Sequence, residues 1–246
     1  MRVLLVNPNT TVSMTNSIES AARSVAGPAT EISARTSRMG PVSIEGYYDE
    51  AFAVPGLLTE IAEGERSEAD AAIIACFDDT GLDAARAMAS IPVLGICEAA
   101  VATAALIAQR FSIVTTLERS IMPVKGLVHR YGMSDRATVR AAAIPVLSLD
   151  DPSSGATTKL RAEIEKALRD DQAEAIVLGC AGMADLARRL QQEYGVPVVD
   201  GVGAAVKLAE GLVTLGLTTS KRGGYASPLV KPYLGMMAPF APAQTR

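Results

Sequence analysis

The sequence predicts an α/β protein of two similar lobes, each a mostly parallel sheet flanked by helices, with a cleft between them. Three observations lead there. Short apolar runs alternate with helix-like stretches over short connections, the signature of a parallel sheet covered on both faces. The order of elements occurs twice along the 246 residues. Two stretches, Ala69–Asp78 and Ala173–Gly182, also match in register, setting Asp70 with Glu174, Ile73 with Val177, Ile74 with Leu178 and Cys76 with Cys180. Each is a short buried strand that delivers a cysteine where it ends. The repeat divides the chain into a first lobe of residues 1–98 plus 203–246 and a second lobe of residues 99–202.

The elements follow in order. Val3–Val6 is a strand that stops at the turn and cap residues Asn7–Pro8–Asn9–Thr10–Thr11. Met14, Ile18, Ala21 and Val25 fall at helical spacing, and Gly27–Pro28 ends that helix. Glu31–Thr36 reads as a strand, 37–49 as a long loop, and a helix lies around Leu57–Gly64. The first cysteine strand, the helix Leu82–Ala89, the strand Pro92–Ile96 and the helix Glu98–Gln109 complete the first pass. The second begins at the strand Phe111–Val114, where Thr115-x-x-Glu118 reads as a capping box. His129–Arg130–Tyr131–Gly132 marks a helix end, Arg136–Ile144 a strand and Gly155–Arg169 an amphipathic helix. After the second cysteine strand come the helix Met183–Tyr194 stopped by Gly195, the strand Val196–Val199 and the helix Gly203–Leu215. Residues 217–246 read as a tail over the surface.

Composition narrows the function. A net charge of −4 and 4% aromatic residues argue against a nucleic-acid partner, which calls for basic faces and stacking rings. No apolar run approaches the roughly 20 residues of a membrane span, and Met1–Val6 enters a strand without a signal-peptide pattern, so a soluble cytoplasmic protein is expected. Three cysteines in a reducing compartment read as free thiols. With one histidine and no Cys-x-x-Cys, no metal site is expected. A lone cysteine is usually inert packing, and Cys97, unmatched in the repeat, reads that way. Cys76 and Cys180 are different, because matched thiols at strand ends before helix N-termini would gain thiolate character.

In open parallel sheets ligands bind beyond the C-terminal strand ends, which brings both thiols to one cleft if the lobes face each other. Asn9, Thr10 and Thr11 match Thr115 and Thr116 by order along the repeat, either as helix caps or as donors to a ligand's oxygens. Glu98 either caps a helix or lines the cleft. Asp78–Asp79 reads as a solvated turn or, less readily, as a cation ligand. Gly201–Val202–Gly203 lacks the third glycine of a dinucleotide fingerprint.

With these residues in place, the chain resembles the aspartate/glutamate/hydantoin racemase superfamily, and within it the hydantoin and allantoin racemases. The resemblance is carried by Val6–Thr11 with Met14–Thr15, the loop Thr36–Gly46, Ala75–Asp83, Ile91–Ile96 and Gly179–Met183. It implies a cofactor-independent homo-oligomer acting on a small molecule, with Cys76 and Cys180 catalytic. Asn9, Phe77, Thr115, Thr116, Ala181 and Gly182 are the expected substrate contacts. Racemisation removes a proton from one face of a carbon acid and returns one to the other, so two acid/base groups suit it. Maleate isomerases and arylmalonate decarboxylases resemble the same superfamily, the latter using a single cysteine. A small-ligand binding module without chemistry is the non-enzymatic alternative.

Overall fold

The computed structural model describes residues 1–242; the last four residues of the predicted tail, 243–246, lie outside the described residues. Strands β1 (Arg2–Asn7), β2 (Glu31–Thr36), β3 (Ala71–Ile74) and β4 (Val93–Gly95) form one parallel sheet in the order β2-β1-β3-β4. Strands β5 (Phe111–Thr115), β6 (Ala137–Ala141), β7 (Ala175–Gly179) and β8 (Val198–Asp200) form a second in the order β6-β5-β7-β8. The helices are α1 (Val12–Val25), α2 (Tyr47–Arg66), α3 (Leu82–Met88), α4 (Ile96–Ile107), α5 (Ile121–Arg130), α6 (Ala156–Asp170), α7 (Ala187–Tyr194) and α8 (Gly201–Thr214). The predicted two-lobed α/β architecture is the one observed.

Strand alternation explains how the two sheets are joined. Side chains of successive residues point to opposite faces. Val3, Leu5 and Ile73 of the first sheet and Phe111, Ile113 and Val177 of the second enter one shared central core. Their neighbours Leu4, Val6 and Ile74, and Val114, Ile176 and Leu178, enter two outer cores, covered by α2 and α6 respectively. The shared core is filled largely by alanines of α4 and α8, which let those helices approach closely. Where they meet, a Cβ on Gly201 would lie 2.4 Å from the Ile96 carbonyl oxygen, so only glycine fits.

Four local expectations need correction. The predicted helix around Leu57–Gly64 begins ten residues earlier, at Tyr47, which shortens the preceding loop. Pro55 and Gly56 lie inside this helix, and Gly56 is needed because a Cβ there would lie 2.1 Å from Ser37 Oγ. The predicted helix Met183–Tyr194 is split into a 3-10 segment Ala181–Leu186 and α7. Thr115 is not a capping-box residue: it ends β5, and its hydroxyl donates to Gly179 O at 3.2 Å. The strand predicted over Arg136–Ile144 is shorter, Ala137–Ala141.

Past α8 the chain crosses the first lobe. Thr219 N–H donates to Ser90 O at 3.0 Å, Thr219 Oγ1 to Ile91 O at 2.7 Å, and Lys221 Nζ to Arg86 O at 2.7 Å. Beyond Tyr225 the tail exposes Leu229, Val230, Leu234 and Met236. Among the described residues no helix is long and apolar enough to cross a membrane.

Candidate active site

The C-terminal ends of β1, β3, β5 and β7 meet around a narrow cavity of about 30 Å³. Cys76, two residues past β3, and Cys180, one past β7, both line it. They are close enough that charge on Cys180 raises the pKa of Cys76. Asn9, Phe77, Thr115, Thr116 and Ala181 line the same cavity. Gly182 stands one residue outside the lining, where a Cβ would come 3.9 Å from Cys180 Sγ.

The loop after β1 is fixed by amide hydrogen bonds. Asn7 Nδ2 donates to Asn9 Oδ1 at 2.9 Å, Thr11 O at 3.1 Å and Thr15 Oγ1 at 3.0 Å. Asn9 Oδ1 also accepts from Thr11 N–H at 2.9 Å, so the amide oxygen is committed to the loop. Its Nδ2 contacts Met14 Sδ at 3.5 Å, a weak acceptor, leaving that donor at the cavity for a better one. The expected helix cap is not seen, since Thr11 at the start of α1 makes no side-chain cap hydrogen bond, and Asn9 Nδ2 is what the loop offers as a donor.

Strand pairing corrects the predicted match between loops. Ser37 N–H bonds to Asn7 O at 2.9 Å, and Ala142 N–H bonds to Thr115 O at the same distance. Val6 pairs with Ile74, and Val114 with Leu178. Asn7, rather than Asn9, is thus the counterpart of Thr115.

The thiols do not share one environment. Cys180 precedes the 3-10 segment Ala181–Leu186 directly. Cys76 is separated from α3 by residues 77–81, and Asp79 N–H returns to Cys76 O at 3.0 Å. The expected lowering of its pKa by a helix N-terminus does not occur. Cys76 keeps a partly accessible face on the cavity, but burial pushes its pKa well up, and the Asp78 carboxylate adds to the rise. Against this act the Thr80 side chain and the Asp78 backbone N–H. Thr80 Oγ1 is buried without a full hydrogen bond among the described residues, and a thiolate at Cys76 would be a stronger acceptor for it than the thiol.

Asp78 and Asp79 are not a solvated turn. Asp78 lines the cavity, and burial together with the charges of Glu50 and Asp79 pushes its pKa up to about 7. Asp79 is buried with a left-handed φ of 47°, a conformation Asp tolerates better than most residues. It accepts from Cys97 N–H and Glu98 N–H, both at 2.9 Å, and from Tyr131 Oη at 2.6 Å. It thereby caps α4 from outside the helix and ties the first lobe to the end of α5. Burial still pushes its pKa up to about 7 against these bonds. A Cβ on Gly95 would lie 2.2 Å from Asp79 Oδ1, which explains the glycine.

The remaining candidates lie elsewhere. Cys97 is fully buried in the central core, where burial raises its pKa well above the usual thiol range. Glu98 neither caps a helix with its side chain nor lines the cleft; it pairs with Arg86. Exposed His129, on α5, has Nδ1 3.3 Å from Ser134 Oγ and is absent from the cavity wall. Gly201 and Gly203 serve helix packing and the Asp200 cap of α8. No group of three or more metal-ligating side chains occurs among the described residues. Sequence reasoning missed Ile44, Ser120 and Val146, which complete the wall from loops whose approach appears only in the fold.

Two four-stranded parallel sheets of like topology, each presenting one thiol to a shared cavity, define the class of two-lobed α/β proteins with paired cleft thiols. Residues 3–209 match the model of the Asp/Glu/Hydantoin racemase family. A hydantoin racemase of Pseudomonas sp. (strain NS671) is 47% identical, the match covering 100% of this chain and 99% of that one. A hydantoin racemase of Rhizobium meliloti is 50% identical, covering 96% and 98%. The solved structure of an allantoin racemase from Klebsiella pneumoniae superposes with a TM-score of 0.96 at 47% identity, covering 99% and 100%. The chain belongs to the Asp/Glu/Hydantoin racemase family and is an isomerase of the racemase class.

Proposed function

We propose that this protein racemises 5-substituted hydantoins or the related ureide allantoin by two-base proton transfer at C5, without a cofactor. The observation that carries the reading is the pair of thiols, one from each sheet, on a single cavity. One cysteine, as thiolate, takes the C5 proton and becomes a thiol. The other, as thiol, delivers its proton to the opposite face and becomes the thiolate. The electron pair left on C5 passes into the adjacent ring carbonyl as an enolate, and returns when the new C–H bond forms. In this reading the Asn9 amide N–H2 and backbone N–H groups of the strand-end loops stabilise that oxyanion, a role supported by the weak acceptor that Asn9 Nδ2 now contacts.

Burial of Cys76 and the neighbouring Asp78 charge favour its thiol form. The two titrations are coupled, so apparent pKa values belong to the pair. Ile44 and Val146 line the narrow cavity from two different loops. Glu45 Oε1, accepting from Val146 N–H at 3.3 Å, holds them together across the cleft.

Relatives of this family that act on dicarboxylates or amino acids are the rival readings, maleate isomerase and arylmalonate decarboxylase among them. Among the described residues no Lys, Arg or His lines the cavity, and the one carboxyl there, Asp78, disfavours anions, which favours a neutral ring. The reading includes a cytoplasmic homo-oligomer, supported by the apolar side chains exposed along the tail, and lobe boundaries near residues 98 and 203. Chiral chromatography on single enantiomers of hydantoins, allantoin, aspartate and glutamate, with maleate assayed for conversion to fumarate, tests it. Inversion of a hydantoin or allantoin alone is expected. Turnover confined to aspartate, glutamate or maleate would refute it.

A further inference from the structure

We propose that Asp78 sets the orientation of the substrate ring, its carboxylate accepting a hydrogen bond from the ring N–H next to the reacting carbon, and so selects substrates that carry that N–H. This rests on the reading of the cleft as a hydantoin or allantoin racemase site. Besides the two thiols, Asp78 is the one ionisable side chain on the cavity wall among the described residues. Its carboxylate has no hydrogen-bond or ion-pair partner among those residues, and its charged neighbours, Glu50 and Asp79, have its own sign. Half-buried at the cavity, the carboxylate keeps acceptor capacity that no protein donor uses and that a ligand's N–H can take.

A hydantoin has an N–H on one side of its reacting carbon and a carbonyl on the other. Turned with the carbonyl towards Asp78, the ring would place the oxygen that gains charge in the enolate against an anion. Turned the other way, the N–H meets Asp78, and the carbonyl is left for donors such as Asn9 Nδ2, whose own contact is the weak acceptor Met14 Sδ. Both faces of the ring then remain open to Cys76 and Cys180. The same carboxylate disfavours an anionic substituent at the reacting carbon.

The test compares a 5-substituted 3-methylhydantoin with the matching 5-substituted 3-methyloxazolidine-2,4-dione, in which oxygen replaces that N–H at nearly unchanged size and both rings are neutral. Wild type, Asp78→Ala and Asp78→Asn are assayed for kcat/KM on both. Wild type should prefer the hydantoin by at least about 100-fold, because the analogue leaves a desolvated carboxylate unpaired. Asp78→Ala should lose most of that preference, through a fall on the hydantoin alone. Asp78→Asn, whose amide oxygen still accepts, should keep part of it. Equal turnover of the two rings by wild type, or an unchanged preference in Asp78→Ala, would overturn the assignment while leaving the racemase reading intact. If wild type inverts neither hydantoins nor allantoin, the functional reading fails and this assignment with it.

Discussion

The two lobes solve the same problems with different residues. Both fourth strands lead directly into a long helix, α4 after β4 and α8 after β8. In the second lobe Asp200 caps its own helix, accepting from Gly203 N–H at 2.6 Å. Gly95, its counterpart by strand pairing, has no side chain, and the cap for α4 comes from Asp79 in the loop behind Cys76. The borrowed cap brings two acids to the Cys76 side of the cleft, while Cys180 is followed by Ala181 and Gly182. Duplication of a fold thus yields a cleft with geometrically matched thiols in electrostatically unlike walls. The matched geometry is what the proposed two-base reaction requires, and the unlike walls are what the proposed orientation of the ring by Asp78 requires.

The largest expected effect tests the matched half of the comparison. Cys76→Ser and Cys180→Ser should each lower racemisation by more than the 10²–10⁴-fold often assigned to one general acid/base group, since a serine hydroxyl is a far weaker acid. Polarimetry on each enantiomer measures it. A variant within tenfold of wild type would show that its cysteine is dispensable.

The matched thiols were legible because each lies in an apolar run with the same spacing of acid, branched residues and cysteine. Much of the unlike surroundings was not. Asp79 binds partners 18, 19 and 52 residues away, so next to Asp78 it looks like a solvated turn. The N-terminal half of α2 was hidden by Pro55–Gly56, whose packing against Ser37 and Met39 is a tertiary demand overriding local propensity. Asn7 was passed over for Asn9 because counting along loops carries no register; only paired strands do. Likewise Ile44 and Val146 reach the cavity from loops more than a hundred residues apart, and no local spacing reports that.

The two caps provide the next contrast, in stability. Asp79→Ala leaves three donors without their acceptor, at about 1–3 kcal/mol for each that water cannot reach. Asp200→Ala removes an ordinary cap, at about 1 kcal/mol. Urea unfolding should therefore show Asp79→Ala losing at least about twice as much stability as Asp200→Ala. Equal losses would mean that Asp79 does not join the lobes.

The smallest effect concerns pH. Asp78 has a pKa raised to about 7 in the folded protein, above that of an unfolded aspartate. Between about pH 4 and 7 the folded state therefore binds more protons than the unfolded one, and stability falls as pH rises through that window. Asp78→Asn removes this contribution. Its Tm should exceed that of wild type at pH 8 and approach it at pH 4; a gain larger at pH 4 than at pH 8 would contradict the assigned shift. The titratable groups that face Asp78, namely Glu50, Asp79 and Cys76, stay in place in the variant.

The claim that one thiol serves each face of the substrate is tested most directly by proton exchange in the two single variants. Each pure enantiomer of a 5-substituted hydantoin that does not exchange on its own is incubated in D2O with Cys76→Ser or Cys180→Ser and followed by NMR at C5. The surviving thiol faces the C5–H of one enantiomer alone, so each variant should introduce deuterium into one enantiomer with retention, and the two variants should choose opposite enantiomers. Exchange of the same enantiomer by both variants, or inversion by either at a rate close to wild type, would contradict the two-thiol cleft.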